Sequence, residues 1–281
     1  MTTEVADAVD VAAYFDRIGY RGPAEPTVDT VRALVAAHNR SIPFENLDPL
    51  LGIPVADLSA AALTDKLVHR RRGGYCYEHN GLIGYMLDAL GFGVERLAGR
   101  VVWMNPDGPL PAQTHQVLRV TVPGVDGPFL VDVGFGGQTL TSPIRLQAGP
   151  VQATRHEPYR IQERGDGLQL EAEILGAWQP LYMFTTRAQP RIDLEVGSWY
   201  VSTHPNSFFV TGLTVALVTD DARYNMRGRH LAIHRGGNTE HIRFDTVADV
   251  LDALTDRFGI DLADLGARAD VEARVNEVLD S

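Results

Sequence analysis

The sequence predicts an α+β protein built in three consecutive parts, and three observations carry that prediction. Apolar residues recur at helical spacing through the first third. Short β-branched runs separated by turn sequences fill the middle. Strand-like and helix-like stretches alternate in the last third. The division falls at 1–95 for the helices, 96–200 for an antiparallel sheet or small barrel, and 201–281 for the mixed α/β segment. At 281 residues, with 44% apolar and 22% charged side chains, the chain has ordinary soluble composition and length enough for a sizeable core.

The first predicted helix covers Val11 to Ile18 and stops at Gly19. The second, Thr27 to Asn39, opens with a capping threonine after Pro26 and puts Val31, Leu34 and Val35 on one face. A third runs from Ser59, its cap, to Arg71. The fourth starts near Tyr75 and ends at Leu90 before Gly91, with Leu82, Ile83, Met86, Leu87 and Leu90 at helical spacing. Strands follow at Val94 to Trp103, Gln116 to Val122 and Phe129 to Val133, with turns at Asn105 to Gly108 and Pro123 to Gly127. Two more are expected at Leu168 to Ile174 and Trp178 to Phe184. Phe208 to Thr219 and Arg229 to His234 read as strands, Thr246 to Phe258 and Val271 to Leu279 as helices.

A formal net charge of −11 disfavours broad binding to a nucleic-acid backbone. Two basic clusters, His69 to Arg72 and Arg223 to Arg235, could meet a small anion or settle into local ion pairs. The single cysteine excludes an intrachain disulfide and points to a reducing compartment. The acidic stretch Met1 to Asp10 lacks an apolar signal core, and no apolar run approaches the ~20 residues of a membrane span. A cytoplasmic protein without membrane or nucleic-acid partners is expected.

The chemistry concentrates around that cysteine. In Arg72-Gly73-Gly74-Tyr75-Cys76, two glycines allow a tight approach and deliver Cys76 to a helix N-terminus. Free N–H groups and the helix dipole there favour an anion, as a thiolate nucleophile needs. The plain alternative is a small buried hydrophobe. His79 lies one helical turn away and could face the sulfur or the surface. His115, at the start of a strand, is the better proton partner, since such pairs come from different elements, although a histidine there could equally be an ordinary polar residue. Asp132 lies in an apolar strand, where an unpaired charge costs several kcal/mol. The turn at Pro123 to Gly127 can pair the His115 and Asp132 strands as a hairpin, so an imidazolium would satisfy the carboxylate. The glycine-rich run Gly134 to Gly137 lacks the lysine of a phosphate loop and leads into no helix. It reads as a plain turn or as a close approach of backbone N–H groups to a ligand.

Five stretches in order resemble the arylamine N-acetyltransferase family of prokaryotic type: Ile42-Pro43-Phe44-Glu45-Asn46-Leu47, Arg72 to Cys76, Thr114-His115-Gln116-Val117-Leu118, Val131-Asp132-Val133-Gly134-Phe135-Gly136, and Ser202 to Phe209. The Arg-Gly-Gly-x-Cys run is the most specific of them. The resemblance implies a cysteine-protease-like core of helical bundle plus β-barrel, with an α/β lid at the C-terminus. It implies ping-pong acetyl transfer from acetyl-CoA through Cys76, His115 and Asp132 to an arylamine, a hydrazine or an N-hydroxyarylamine. By the same resemblance Phe44, Phe135 and Phe209 line the acceptor pocket, while Thr114, Gly134, Gly136, Gly137 and His234 approach CoA. Arg72 and Glu45 form a structural ion pair. No metal and no permanently bound cofactor is implied. The order Cys, His, Asp also occurs in transglutaminase-like enzymes, with a related order in papain-like peptidases. An amide synthase of the same family and a non-catalytic CoA-binding protein are further alternatives.

Overall fold

The computed structural model describes residues 9–279, so the first eight residues of the acidic opening stretch lie outside the described residues. Helix α1, Val11–Ile18, is capped by the Asp10 carboxylate on the Ala13 N–H and closed by Gly19 in the left-handed region. Helix α2, Val28–Ser41, is capped by Thr27 on the Thr30 N–H. Between α2 and the next helices lie a two-residue strand β1, Phe44–Glu45, and a single helical turn α3, Leu47–Leu50.

The expected helix from Ser59 to Arg71 is instead a short α4, Ala60–Thr64, followed by a π-helical turn over Asp65–His69. The turn widens where Lys66 sends its ammonium group inward to Asp48 and Glu78, at 2.7 and 2.6 Å. Helix α5, Cys76–Ala89, is buried on nearly all sides. Tyr14, Leu34, Val35, Leu82, Ile83 and Met86 form the centre of this first core.

The middle of the chain forms one antiparallel sheet. Its strands are β2 (Gly93–Val101), β3 (Gln113–Thr121), β4 (Phe129–Val131), β5 (Ile144–Arg145), β6 (Tyr159–Arg164), β7 (Gly167–Ile174) and β8 (Ala177–Phe184), in the order β5-β4-β3-β2-β8-β7-β6. Isolated bridges from Ala148 to Ile161 and from Gln152 to Tyr159 join the segment after β5 to β6 at the opposite edge, so the sheet curls into a nearly closed barrel. Leu97, Val117, Leu170, Leu181 and Tyr182 fill it.

A helix α6, Arg191–Thr203, follows the barrel and was not foreseen. It buries Leu194, Ser198, Val201 and Ser202 at helical spacing but leaves Ile192, Val196 and Trp199 exposed, which blurs the apolar stripe that would announce it. The run Phe208 to Thr219 is not one strand. It divides into a helical turn α7, Phe208–Thr211, and strand β9, Thr214–Val218. The break is held from outside: Asn46 donates to the carbonyls of Phe209 and Gly212 and accepts from the Thr214 N–H. Strands β10 (Ala222–Arg227), β11 (His230–Arg235) and β12 (Asn238–Arg243) complete a second antiparallel sheet in the order β1-β9-β10-β11-β12. Its edge strand β1 comes from the first part of the chain. Helices α8, Val247–Asp256, and α9, Arg268–Leu279, pack on this sheet around Leu231, Val250, Leu254 and Val275. Among the described residues no helix is long and apolar enough to cross a membrane.

Candidate active site

Cys76 is the first residue of α5 and is buried, with Sγ 3.5 Å from the Thr114 carbonyl. The loop before it tolerates only glycine at position 73, where a Cβ would stand 2.1 Å from the Pro43 carbonyl oxygen. Glu78 caps the helix by accepting the Tyr75 N–H at 3.0 Å. Arg72 is locked beneath, donating to Glu45 through Nη2 and Nε at 2.8 and 3.1 Å and to Asp48 at 2.8 Å. This is the ion pair implied by the resemblance, enlarged to a buried cluster by Lys66 and Glu78.

His115 and Asp132 reach the same place from the β3–β4 hairpin, which pairs Leu118 with Val131 across the turn at Pro123 to Gly127. Asp132 lies one residue beyond β4 rather than inside it. His115 Nε2 stands 2.8 Å from Asp132 Oδ2, with both side chains buried. The other carboxylate oxygen accepts from Asn80 Nδ2 and from the Gly134 N–H, each at 2.9 Å. With Nε2 engaged by Asp132, Nδ1 is the ring nitrogen left without an Asp132 contact, and Cys76 lines the same cavity as His115. Burial by itself disfavours the imidazolium, but the charge and hydrogen bond of Asp132, together with Cys76, outweigh it and push the His115 pKa up to about 10. Burial would likewise raise the Asp132 pKa. His115, Asn80 and the Gly134 N–H prevail and hold it below its ordinary value.

Cys76 and His115 open onto a cavity of about 510 Å³ whose wall includes Phe44, Phe135 and Phe209. The His115 ring meets Phe135 edge to face at 5.2 Å, and Phe44 and Phe209 lie 6.0 Å apart. Thr114, Gly134, Gly136 and Gly137 line the same cavity. Gly134 is pressed against Cys76: a Cβ there would stand 2.7 Å from the Cys76 Cα. His234 is not brought to the cavity; it bonds the Thr239 hydroxyl on the neighbouring strand at 2.8 Å. His79 does not serve the sulfur either, since its ring nitrogens are taken by His38 and the Pro43 carbonyl.

Asn80 was missed by the sequence reading. It clasps Asp132, the Gln116 carbonyl and the Val133 N–H. Its one local signal is its place four residues after Cys76, on the same helix face. Trp103, Tyr200, Phe208, Asn225 and Arg227 were also unforeseen as cavity residues, and only long-range packing gathers them. The basic clusters resolve largely into ion pairs: Arg70, Arg72, Arg223 and Arg235 each meet a carboxylate. Among the described residues no group of three or more His, Cys, Asp or Glu could hold a metal ion.

Residues 27–266 match the family model described as N-acetyltransferase. The arylamine N-acetyltransferase of Mycolicibacterium smegmatis is 72% identical over 275 residues, which cover 98% of this chain and 100% of that protein. The arylamine N-acetyltransferase / N-hydroxyarylamine O-acetyltransferase of Salmonella typhimurium is 38% identical over 90% of this chain and 89% of its own length. The solved structure of Mycobacterium marinum arylamine N-acetyltransferase in complex with CoA superposes with a TM-score of 0.94 at 61% identity, covering 96% of this chain and 99% of that one. The chain thus belongs to the arylamine N-acetyltransferase family, in its prokaryotic form.

Proposed function

We propose that this enzyme moves an acetyl group from acetyl-CoA to the nitrogen of arylamines and hydrazines, and to the oxygen of N-hydroxyarylamines, in two half-reactions through Cys76. The observation that carries this reading is the imidazole of His115, held by Asp132 and lining one aromatic cavity together with Cys76, the only cysteine of the sequence. In the first half-reaction the Cys76 thiolate attacks the donor thioester carbonyl. The tetrahedral intermediate collapses, CoA leaves with a proton from His115, and acetyl-Cys76 remains. In the second the amine attacks acetyl-Cys76, His115 takes the proton released from nitrogen, and the Cys76 sulfur departs. Exchange between two thioesters is nearly isoenergetic, so neither step carries the whole barrier.

Asp132 holds the imidazole in orientation and sustains its charge, and Asn80 and the Gly134 N–H hold Asp132 in turn. Phe44, Phe135 and Phe209 offer flat apolar surfaces to an aromatic acceptor and exclude water, which would hydrolyse the acetyl-enzyme. We assign the glycine-rich loop and Thr114 to the donor's arm because they line the cavity beside Cys76, while a role for His234 would require CoA to extend beyond that cavity. Acetyl-CoA is a substrate here and no cofactor is retained. We take residues 1–95, 96–200 and 201–281 as bundle, barrel and lid. The dependence on one free thiol suits a reducing compartment, the cytoplasm.

Mass spectrometry of the intact protein after mixing with acetyl-CoA tests this directly. One acetyl group on Cys76, discharged by an added arylamine, is expected. A Cys76→Ala variant that keeps its fold and still acetylates an arylamine in a CoA-dependent way would refute covalent transfer.

A further inference from the structure

A second polar assembly lies behind the aromatic wall and takes no part in the chemistry above. His79 is on α5, three residues after Cys76, and is buried; its Nε2 stands 3.1 Å from the Pro43 carbonyl oxygen. A carbonyl only accepts, so Nε2 carries the ring proton. His79 Nδ1 lies 2.8 Å from His38 Nε2. Burial holds His79 down to about 4 and His38 well below its ordinary value, so both rings are neutral. Nδ1 of His79 therefore accepts from His38, and Nδ1 of His38 accepts from the Tyr14 hydroxyl at 2.9 Å.

These contacts form one directed chain, from the Tyr14 hydroxyl through His38 and His79 to the Pro43 carbonyl. It links α1, α2 and α5 to the residue just before strand β1, and one arrangement of protons satisfies every ring nitrogen. The Pro43 carbonyl also receives the Gly74 N–H at 3.4 Å, and the Glu45 N–H donates to the Gly74 carbonyl at 2.8 Å. Phe44 is thereby held between two fixed points beside the nucleophile loop. Its ring stacks on His79, with centroids 6.3 Å apart and planes 17° apart. Filling buried space with two imidazoles and a phenol is costly compared with apolar packing. The chain ends on the backbone that aims an aromatic wall of the cavity.

We propose that His79, backed by His38 and Tyr14, is a positioning residue for the aromatic acceptor: by fixing the Pro43 carbonyl and the Phe44 ring it sets the slot in which a flat amine lies. This rests on the proposed function. It distinguishes acceptors that carry a ring from those that do not. It also separates the second half-reaction from the first.

The test uses the full-length enzyme, with aniline as the ring-bearing acceptor and hydrazine as an acceptor without a ring. Three variants are compared. His79→Asn keeps an acceptor toward His38 but loses the donor to Pro43. His79→Gln keeps a donor near the Nε2 position. Tyr14→Phe removes only the far hydroxyl. For His79→Asn the aniline KM should rise about fivefold, roughly what one lost neutral hydrogen bond is worth. The hydrazine KM and the rate of CoA release on mixing with acetyl-CoA should stay within about twofold. His79→Gln should recover most of the loss, and Tyr14→Phe should shift the aniline KM in the same direction by less. If His79→Asn does not fold, Tyr14→Phe decides, by the ratio of aniline to hydrazine KM. An unchanged ratio in folded His79→Asn or, failing that, in Tyr14→Phe, or equal losses in both half-reactions, would overturn the inference while wild-type transfer stands. A wild-type enzyme that never forms acetyl-Cys76 would overturn the proposed function, and this inference with it.

Discussion

Replacing Asp132 by asparagine changes a single atom, and the surrounding hydrogen bonds dictate the result. Oδ1 receives two donors, Asn80 Nδ2 and the Gly134 N–H, whereas Oδ2 receives one, His115 Nε2. The amide oxygen of the new side chain must therefore take the Oδ1 place, because the opposite rotamer would set its NH2 against two donors. The NH2 group then faces His115 and forces Nε2 to accept. The ring proton moves to Nδ1, the nitrogen not held by Asp132, and on that side the imidazole can no longer serve as a base. A wrong tautomer in an otherwise intact triad costs about 10⁴ in kcat. The variant also loses a charge-assisted bond in a site closed to water, about 1.5–3 kcal/mol. For a chain of this size each kcal/mol lowers Tm by about 2–4 °C. Acetyl transfer to an arylamine and the thermal midpoint should be measured for Asp132→Asn beside Asp126→Asn, whose carboxylate is in an exposed turn. If the two variants behave alike in both assays, Asp132 is not the residue that orients His115.

The same pair predicts a pH dependence. The folded pKa of His115 is raised to about 10, so its contribution is full below the unfolded value of ~6.5 and fades as pH climbs through 10. Asp132 is shifted down, so its contribution holds above its unfolded value and is lost as pH falls through the folded one. Urea unfolding should accordingly show a larger stability gap between wild type and Asp132→Asn at about pH 5.5 than at about pH 9.5; a gap that widens with pH would contradict the ion pair. Gly134→Ala places a methyl group 2.7 Å from the Cys76 Cα and 2.9 Å from Asn80 Nδ2. Overpacking of about 1–3 kcal/mol is expected, with a kcat loss on the order of 10² from the displaced nucleophile; unchanged rates of acetyl-enzyme formation would show that the loop yields freely. Arg72→Met strips Glu45 of its guanidinium partner and leaves Asp48 with Lys66 alone, and should cost about 3–5 kcal/mol in equilibrium unfolding. Adding Glu45→Gln should recover part of that loss, and strict additivity of the two changes would argue against a coupled pair.

Much of the site was legible in the sequence because its signals are local. Gly73 and Gly74 before Cys76, and an apolar helical repeat after it, put the sulfur at a helix N-terminus with no reference to the rest of the molecule. The β-branched runs flanking Pro123 to Gly127 set His115 on one strand of a hairpin and Asp132 just past the end of the other, and that hairpin brings the two side chains together. The aromatic trio and the Arg72–Glu45 pair came from motif resemblance rather than from any periodicity, and the geometry puts the first at the cavity and the second at the loop before Cys76.

The sequence by itself thus determined the run of helices, then strands, then mixed elements, the helix start that carries Cys76, and the hairpin that carries His115 and leads to Asp132. Each follows from backbone preferences and side-chain periodicity within a dozen or so residues. Tertiary structure alone decided the rest. It turned His79 from the sulfur toward His38 and Pro43, and it made Asn80 the clasp on Asp132. It converted Phe208 to Thr211 from strand to helical turn through Asn46, which lies far earlier in the chain. It also closed the barrel through contacts of Ala148 and Gln152 with β6. For His79, Asn80 and Asn46 a polar group that must be satisfied on burial finds its partner far along the chain. A local pattern shows that such a group exists, while only the packed fold determines which partner stands within hydrogen-bonding distance of it.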